Sequence, residues 1–135
     1  MYLALLNQKQ KELFCDIANI IVMADGIFRE DERDLLESYG GELGFPVDLN
    51  SRNTDLDDVL NHLVASTTEK EKKIIVFESI GLAVIDSNYA KEEQEVIYKM
   101  MEKFEISRSF EGDCRSVLEE YISFQNRLNK LVLLS

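Results

Sequence analysis

Two apolar segments of this chain end in the same pattern, and this repeat constrains the fold more than any other feature. Residues 21–28 (IVMADGIF) and residues 82–89 (LAVIDSNY) are offset by 61 positions. In each copy an apolar segment leads into an acidic turn, and a helix with an early glutamate follows. Any two amphipathic helices share apolar positions, but a matching Asp, aromatic residue and Glu at one register is more specific. We predict two related helix–turn–helix halves packed about a pseudo-twofold axis, since two copies are too few for a solenoid.

Apolar residues recur with a helical period along nearly the whole chain, and no stretch alternates as a half-buried strand does. The chain has one proline and six glycines, too few breakers for an all-β fold with many turns. The sequence therefore predicts an all-α fold, a compact bundle of six to seven helices in a single domain over residues 1–135. The expected helices cover about residues 7–24, 30–43, 54–64, 69–85, 91–104 and 110–133.

The fourth helix is expected at the centre of the bundle because it is apolar on every side from Ile74 onward and too short to span a membrane. Glu78 lies inside that apolar helix, so its carboxylate should be buried with a hydrogen-bond donor in reach. Val64 is expected to face the core from the third helix. For the last helix the residues expected to face the core are Cys114, Val117, Leu118, Tyr121, Ile122, Leu128, Leu131 and Val132.

The charge balance excludes several classes of partner. Fifteen basic and 26 acidic residues give a formal net charge of −11. Phosphate contacts need Lys and Arg, so we expect no nucleic-acid partner and no electrostatic docking on anionic lipid. The N-terminal segment lacks signal-peptide features and the two cysteines have no metal-site or disulfide-rich spacing, which favours a reducing cytoplasm.

The acidic motif of the repeat is the candidate site. Asp25 and Asp86 each follow an apolar helix, where the dipole and free carbonyls disfavour a carboxylate. A bound cation such as Ca²⁺ or Mg²⁺ would compensate, and so would a nearby Lys or Arg. Glu32 and Glu93, one turn into the following helices, could complete a metal site by reaching back over the loop. The alternative stays open that each Asp bonds its own turn and each Glu caps its helix.

The motif also carries a family resemblance. Residues 25–32 (DGIFREDE), after a helix ending in Met23-Ala24, resemble the TerB-like family of tellurite-resistance proteins, and residues 86–93 (DSNYAKEE) form a similar second copy. The resemblance covers about residues 13–104. It implies an all-helical bacterial domain in the cytoplasm, acidic residues around two loops, and divalent-cation binding. Related domains attached to J-domain co-chaperones imply use as a protein-interaction module.

The chain departs from the family pattern in both turns. Ser87 and Asn88 stand where the family has a glycine and another residue. Arg29 and Ala90 stand where the family has Ser, Asp or Thr to cap the next helix, and both are poor caps.

Catalytic signals are few, so we expect no catalytic residue. His62 is the single histidine, which excludes a His-based metal triad, and no nucleotide-binding or nucleophile-elbow motif is present. We therefore expect a non-enzymatic, stress-related acidic module that binds a divalent cation and a protein partner, with a homodimer left open. The alternative is a metal-dependent hydrolase or lyase that uses paired carboxylates, which a cleft holding several carboxylates of raised pKa would favour.

Overall fold

The computed structural model describes residues 1–26, 30–47, 53–85 and 89–134. Over these ranges the chain forms six α-helices and a short 3-10 turn at Leu3–Leu5, without a strand. The predicted all-α bundle is confirmed. The helices are α1 (Gln8–Met23), α2 (Glu30–Leu43), α3 (Leu56–Ser66), α4 (Glu69–Val84), α5 (Lys91–Lys103) and α6 (Arg108–Leu133).

The helix boundaries repeat with the sequence. Both α1 and α4 are 16 residues long, and they start and end 61 positions apart, as α2 and α5 start 61 positions apart. Asn7 caps α1, where its side chain accepts the Gln10 N–H at 2.9 Å and its own N–H donates to Gln10 Oε1 at 2.9 Å. Thr68 and Glu71 form the same capping box at α4, at 3.2 and 2.9 Å.

The two capping boxes touch each other. Gln10 Nε2 donates to Glu71 Oε1 at 3.1 Å, so equivalent residues of the two halves are joined directly. A contact between equivalent positions lies on or near the symmetry axis, which places the predicted pseudo-twofold axis between these side chains. Several helix contacts follow the same symmetry, because α1 contacts α5 as α4 contacts α2, and α3 packs on α1 as α6 packs on α4. The packing of α4 on α5 departs from it, since α1 and α2 make few contacts with each other.

The pattern of buried residues also repeats between α1 and α4. Each buried residue of α4 lies 61 positions after a buried residue of α1. The two helices therefore cover equivalent faces, and α4 is central as predicted. Three pairs differ in polarity, since Glu78 and Ser79 stand where α1 has Ile17 and Ala18, and Ile80 stands where α1 has Asn19. The buried residues of α4 are Ile74, Ile75, Val76, Glu78, Ser79, Ile80, Leu82 and Ala83.

Glycines end the first two helices. Gly26 follows α1 with φ +77° and Gly44 follows α2 with φ +87°. An L-residue with a side chain rarely adopts this left-handed backbone, so glycine is the suitable residue at both ends. The break predicted at Asp25-Gly26 is therefore confirmed, and the last residue of α1 is Met23.

The third helix differs from the prediction in two details. It begins after Asp55 rather than at Thr54, because the Asp55 side chain accepts the Asp58 N–H at 3.2 Å and so acts as the cap. Val64 was predicted to face the core but is 40% exposed. The core face of α3 is carried by Val59, Leu60 and Leu63, and Val64 is turned away from it.

The last helix departs most from the prediction. Its buried residues are Glu111, Cys114 and Leu118, all in the first 11 of its 26 positions. The predictions of a core position for Val117, Tyr121, Leu128, Leu131 and Val132 are wrong, since these side chains are 42–73% exposed, and Ile122 is half-buried. The physical reason is that only the start of α6 packs on α4.

The third helices of the two halves differ in length. α3 has 11 residues and packs on α1, whereas α6 has 26 residues and packs on α4, with its buried residues all within residues 108–118. Residues 119–133 have no counterpart in the first half, and we call them the α6 extension. It continues the helix by about 22 Å.

We expect Leu82→Ala to lower the free energy of unfolding by about 2–5 kcal/mol, because Leu82 is fully buried in the central helix. Urea unfolding followed by circular dichroism measures this. Val64→Ala is the matched control on an exposed aliphatic residue and should cost about 0.5 kcal/mol or less. Equal costs for the two variants would contradict the central position of α4.

Candidate functional site

The acidic motif is divided between buried and exposed positions. Glu32 is 2% exposed and Glu93 is 1% exposed, each in the first turn of its helix, whereas Asp25 is half-buried after α1. Asp86, the fourth predicted ligand, lies outside the described residues. Burial of both glutamates at one register extends the internal repeat into the candidate site.

Glu93 acts as a helix cap. The Ala90 N–H donates to Glu93 Oε1 at 3.0 Å, and Ala90 has no side-chain oxygen with which to cap the helix itself. The glutamate therefore satisfies a backbone donor that would otherwise be left unpaired at the start of α5. This contact favours the capping interpretation for Glu93. Glu32 has the same position in α2 as Glu93 has in α5. Arg29, the residue equivalent to Ala90, lies outside the described residues.

A metal centre is not assembled by the part of the chain that the structure describes. There, no three His, Cys, Asp or Glu side chains are grouped so that they could hold an ion. Asp25, Glu32 and Glu93 belong to that part, and Asp86 does not. The cation site of the acidic motif stays a prediction.

Glu78 has the buried, hydrogen-bonded environment that the sequence predicts. Its side chain is 4% exposed, and Oε1 accepts from the Met1 amino group at 2.8 Å and from the Tyr2 N–H at 2.9 Å. The hydroxyl of buried Tyr39 donates to the Glu78 carbonyl oxygen at 2.9 Å. Glu42 accepts a second bond from the Met1 amino group at 3.0 Å. These contacts give Glu78 a structural role, since they fasten the start of the chain to α4.

The exposed face of α6 is the feature that sequence reasoning missed. Apolar residues recur along it at alternating steps of four and three, the spacing of a coiled-coil seam. The signal was present in the sequence, but a core-facing helix gives nearly the same pattern. We call these residues the α6 seam: Phe110, Cys114, Val117, Tyr121, Phe124, Leu128 and Leu131.

The seam begins in an apolar groove. The α6 groove has a volume of about 790 Å³ and lies between the start of α6, α4 and the N-terminal segment. Burial, with the carboxylates of Asp113 and Glu111, raises the pKa of the Cys114 thiol to about 11, so this thiol stays neutral at physiological pH. The apolar walls of the groove are formed by Tyr2, Leu5, Ile74, Phe77, Phe110, Cys114 and Val117. Its charged rim is formed by Glu69, Lys70, Lys73 and Asp113.

The seam changes from buried to exposed near the start of α6. Cys114 is 5% exposed, whereas the seam residues from Val117 to Leu131 are 42–73% exposed. The groove and the α6 extension therefore form one continuous apolar surface. Surfaces of this kind mark binding sites more often than single exposed apolar residues do.

Comparison of the chain with protein-family models, characterised proteins and solved structures finds no match. No helix among the described residues has the length and apolar character needed to cross a membrane.

We expect Glu78→Gln to lower the free energy of unfolding by about 1 kcal/mol or more, because it removes the charge opposite the Met1 amino group. Burial lowers the pKa of that amino group, but hydrogen bonds to Glu78 and Glu42 outweigh this and raise the pKa above its usual 8.0. The pair therefore stabilises the fold fully below pH 8 and loses its effect as the pH rises through the raised pKa.

Thermal melts between pH 7 and 9.5, on protein whose first residue is Met1, test this. The difference between wild type and Glu78→Gln should shrink with rising pH. Glu42→Gln is the control, since Glu42 is more exposed and should change stability less. A Glu78→Gln difference that is constant with pH would contradict the ion-pair assignment.

Proposed function

We propose that this protein is a non-enzymatic binding module that engages a protein partner through the α6 seam and the α6 groove. The observation that carries the proposal is the exposure of this apolar surface beyond the symmetric bundle. Five of the seven seam residues are 42–73% exposed, although their spacing is that of a helix that packs on another helix.

The energetics of the α6 extension support a binding role. An isolated helix of this length is only marginally stable in water, because most helix stability in proteins comes from packing of the apolar face. Within the described residues, no residue of the extension is buried. A partner that covers the seam would both stabilise the helix and remove apolar surface from water.

The acidic motif supplies the second part of the proposal, a divalent cation such as Ca²⁺ or Mg²⁺ held at Asp25, Glu32, Asp86 and Glu93. The half-buried position of Asp25 beyond the negative end of α1 supports it, and so does the net charge of −11. The TerB resemblance adds a setting, a cytoplasmic protein of tellurite resistance or another stress response.

The alternative is a metal-dependent hydrolase or lyase, which needs carboxylates held together over a cleft. The groove beside α6 is lined mainly by apolar side chains, with lysines and carboxylates mixed at its rim. This composition suits a binding surface better than a hydrolytic centre.

A capture experiment tests the partner-binding role. Immobilised wild type, Phe124→Asp and Leu133→Asp proteins are compared for the proteins they retain from an extract of expressing cells. Both substitutions place a charge on an exposed apolar residue of α6, but Leu133 lies off the seam. Proteins retained by wild type and Leu133→Asp should be lost with Phe124→Asp. The same proteins retained by all three would contradict a binding role for the seam.

Thermal melts in chelator, Mg²⁺ and Ca²⁺ test the cation site. An ion at ten times its Kd adds about 1.4 kcal/mol to stability, a rise in Tm of roughly 4–6 °C for a domain of this size. Asp25→Asn combined with Asp86→Asn should abolish the rise. No shift in wild type, or an equal shift in the double variant, would show that the acidic motif is a capping device.

A further inference from the structure

The spacing of the α6 seam identifies the shape of what covers it. Steps that alternate between four and three residues average 3.5, whereas a straight helix has 3.6 residues per turn. Two helices that supercoil about each other keep a stripe of this period at their interface along its whole length. The surface that fits the seam is therefore another helix with the same period.

The charges that flank the seam are complementary to those of a second copy of this chain in antiparallel orientation. Opposing Tyr121 to Phe124 of a second copy also opposes Val117 to Leu128, so apolar side chains meet along the seam. In this register the residues beside the seam, Glu120 and Arg127, face each other across the pair. The twofold symmetry of two antiparallel helices forms this contact twice.

A parallel pair lacks this complementarity. Residues flanking a parallel seam meet five positions apart, which places Glu120 opposite Gln125 and Arg127 opposite Val132. Neither contact joins opposite charges. The antiparallel register is the one in which both charged residues that flank the centre of the α6 extension find a partner.

The α6 groove fits the same arrangement. In the antiparallel register Leu128 and Leu131 of the second copy lie opposite Val117 and Cys114, and these two residues form part of the groove wall. The tip of each extension would then fill the groove of the other copy. Each of the two grooves is filled by the extension of the other copy, so no groove is left for a third copy and the assembly closes as a symmetric dimer.

From this register, and resting on the proposed binding role of α6, we propose that the partner of the α6 seam is a second copy of this chain, bound as an antiparallel coiled coil. The seam side chains form the buried centre of the interface. The Glu120–Arg127 contacts fix the orientation and register, as charged flanking positions do in coiled coils.

Sedimentation velocity over a concentration series tests the interface. Wild type should sediment as a dimer, and Leu128→Asp should weaken Kd by at least about thirtyfold, as for a residue at the centre of an interface. Leu133→Asp, the control off the seam, should remain dimeric. Thermal melts of each variant confirm a folded bundle, since both positions lie outside the core.

A charge-reversal series tests the orientation. Glu120→Arg and Arg127→Glu should each weaken Kd by about tenfold at low salt, because attraction becomes repulsion at two symmetric contacts. The double variant E120R/R127E restores opposite charges and should return Kd to within about threefold of wild type. A double variant as weak as the single variants would overturn the antiparallel register.

Two outcomes would overturn self-association through the seam. One is a wild type that is monomeric at every concentration, and the other is a Leu128→Asp protein as dimeric as wild type. The capture experiment separates this from failure of the proposed function. If the wild type is monomeric but retains other proteins, and Phe124→Asp does not retain them, the binding role stands and the partner is a different protein. Equal retention by all variants removes that role as well.

Discussion

The hydrogen bond between Gln10 and Glu71 joins the same position of two copies of one motif, and the rest of the bundle is arranged about it. The constraint behind it is burial. α1 and α4 carry equivalent sets of buried positions and have to be covered on several sides, and each supplies a large part of the cover of the other. The second and third helices of each half complete the cover. Two symmetry-related halves cover both helices, because each half uses the same arrangement of three helices.

The α6 extension is the part of the chain that lies outside the symmetric arrangement. The first half ends with an 11-residue helix on α1, and the equivalent length of α6 packs on α4. The extension then continues with a regular apolar stripe, although none of its residues is buried. The two buried glutamates of the acidic motif, by contrast, lie inside the symmetric part, where Glu93 accepts a backbone N–H at a helix start. Structural needs account for Glu93, and they do not account for the exposed seam.

Much of the fold could be predicted from the sequence because the signals were local. Asn7 with Gln10, and Thr68 with Glu71, specify helix starts through side chains three residues apart, and both starts are confirmed. The 61-residue offset predicted the halves. The environment of α6 could not be predicted in this way, since its periodicity shows that one face is apolar but not which surface covers it. The partner of Glu78 depends on where Met1 lies in space, and the periodicity of apolar residues carries no information about that position either. Of the predicted acidic site, the burial of Glu32 and Glu93 follows their shared register, whereas ligation of an ion remains a prediction.

The central claim is that the α6 extension needs a partner, and hydrogen–deuterium exchange of wild type at several protein concentrations tests it most directly. Amide protection reports local opening, and binding raises it by mass action. The account predicts protection of residues 108–118 at every concentration, because they pack on α4. Protection of residues 119–133 should be weak in dilute solution and rise with concentration. Strong protection of residues 119–133 at the lowest concentration, unchanged on concentrating the protein, would contradict the account.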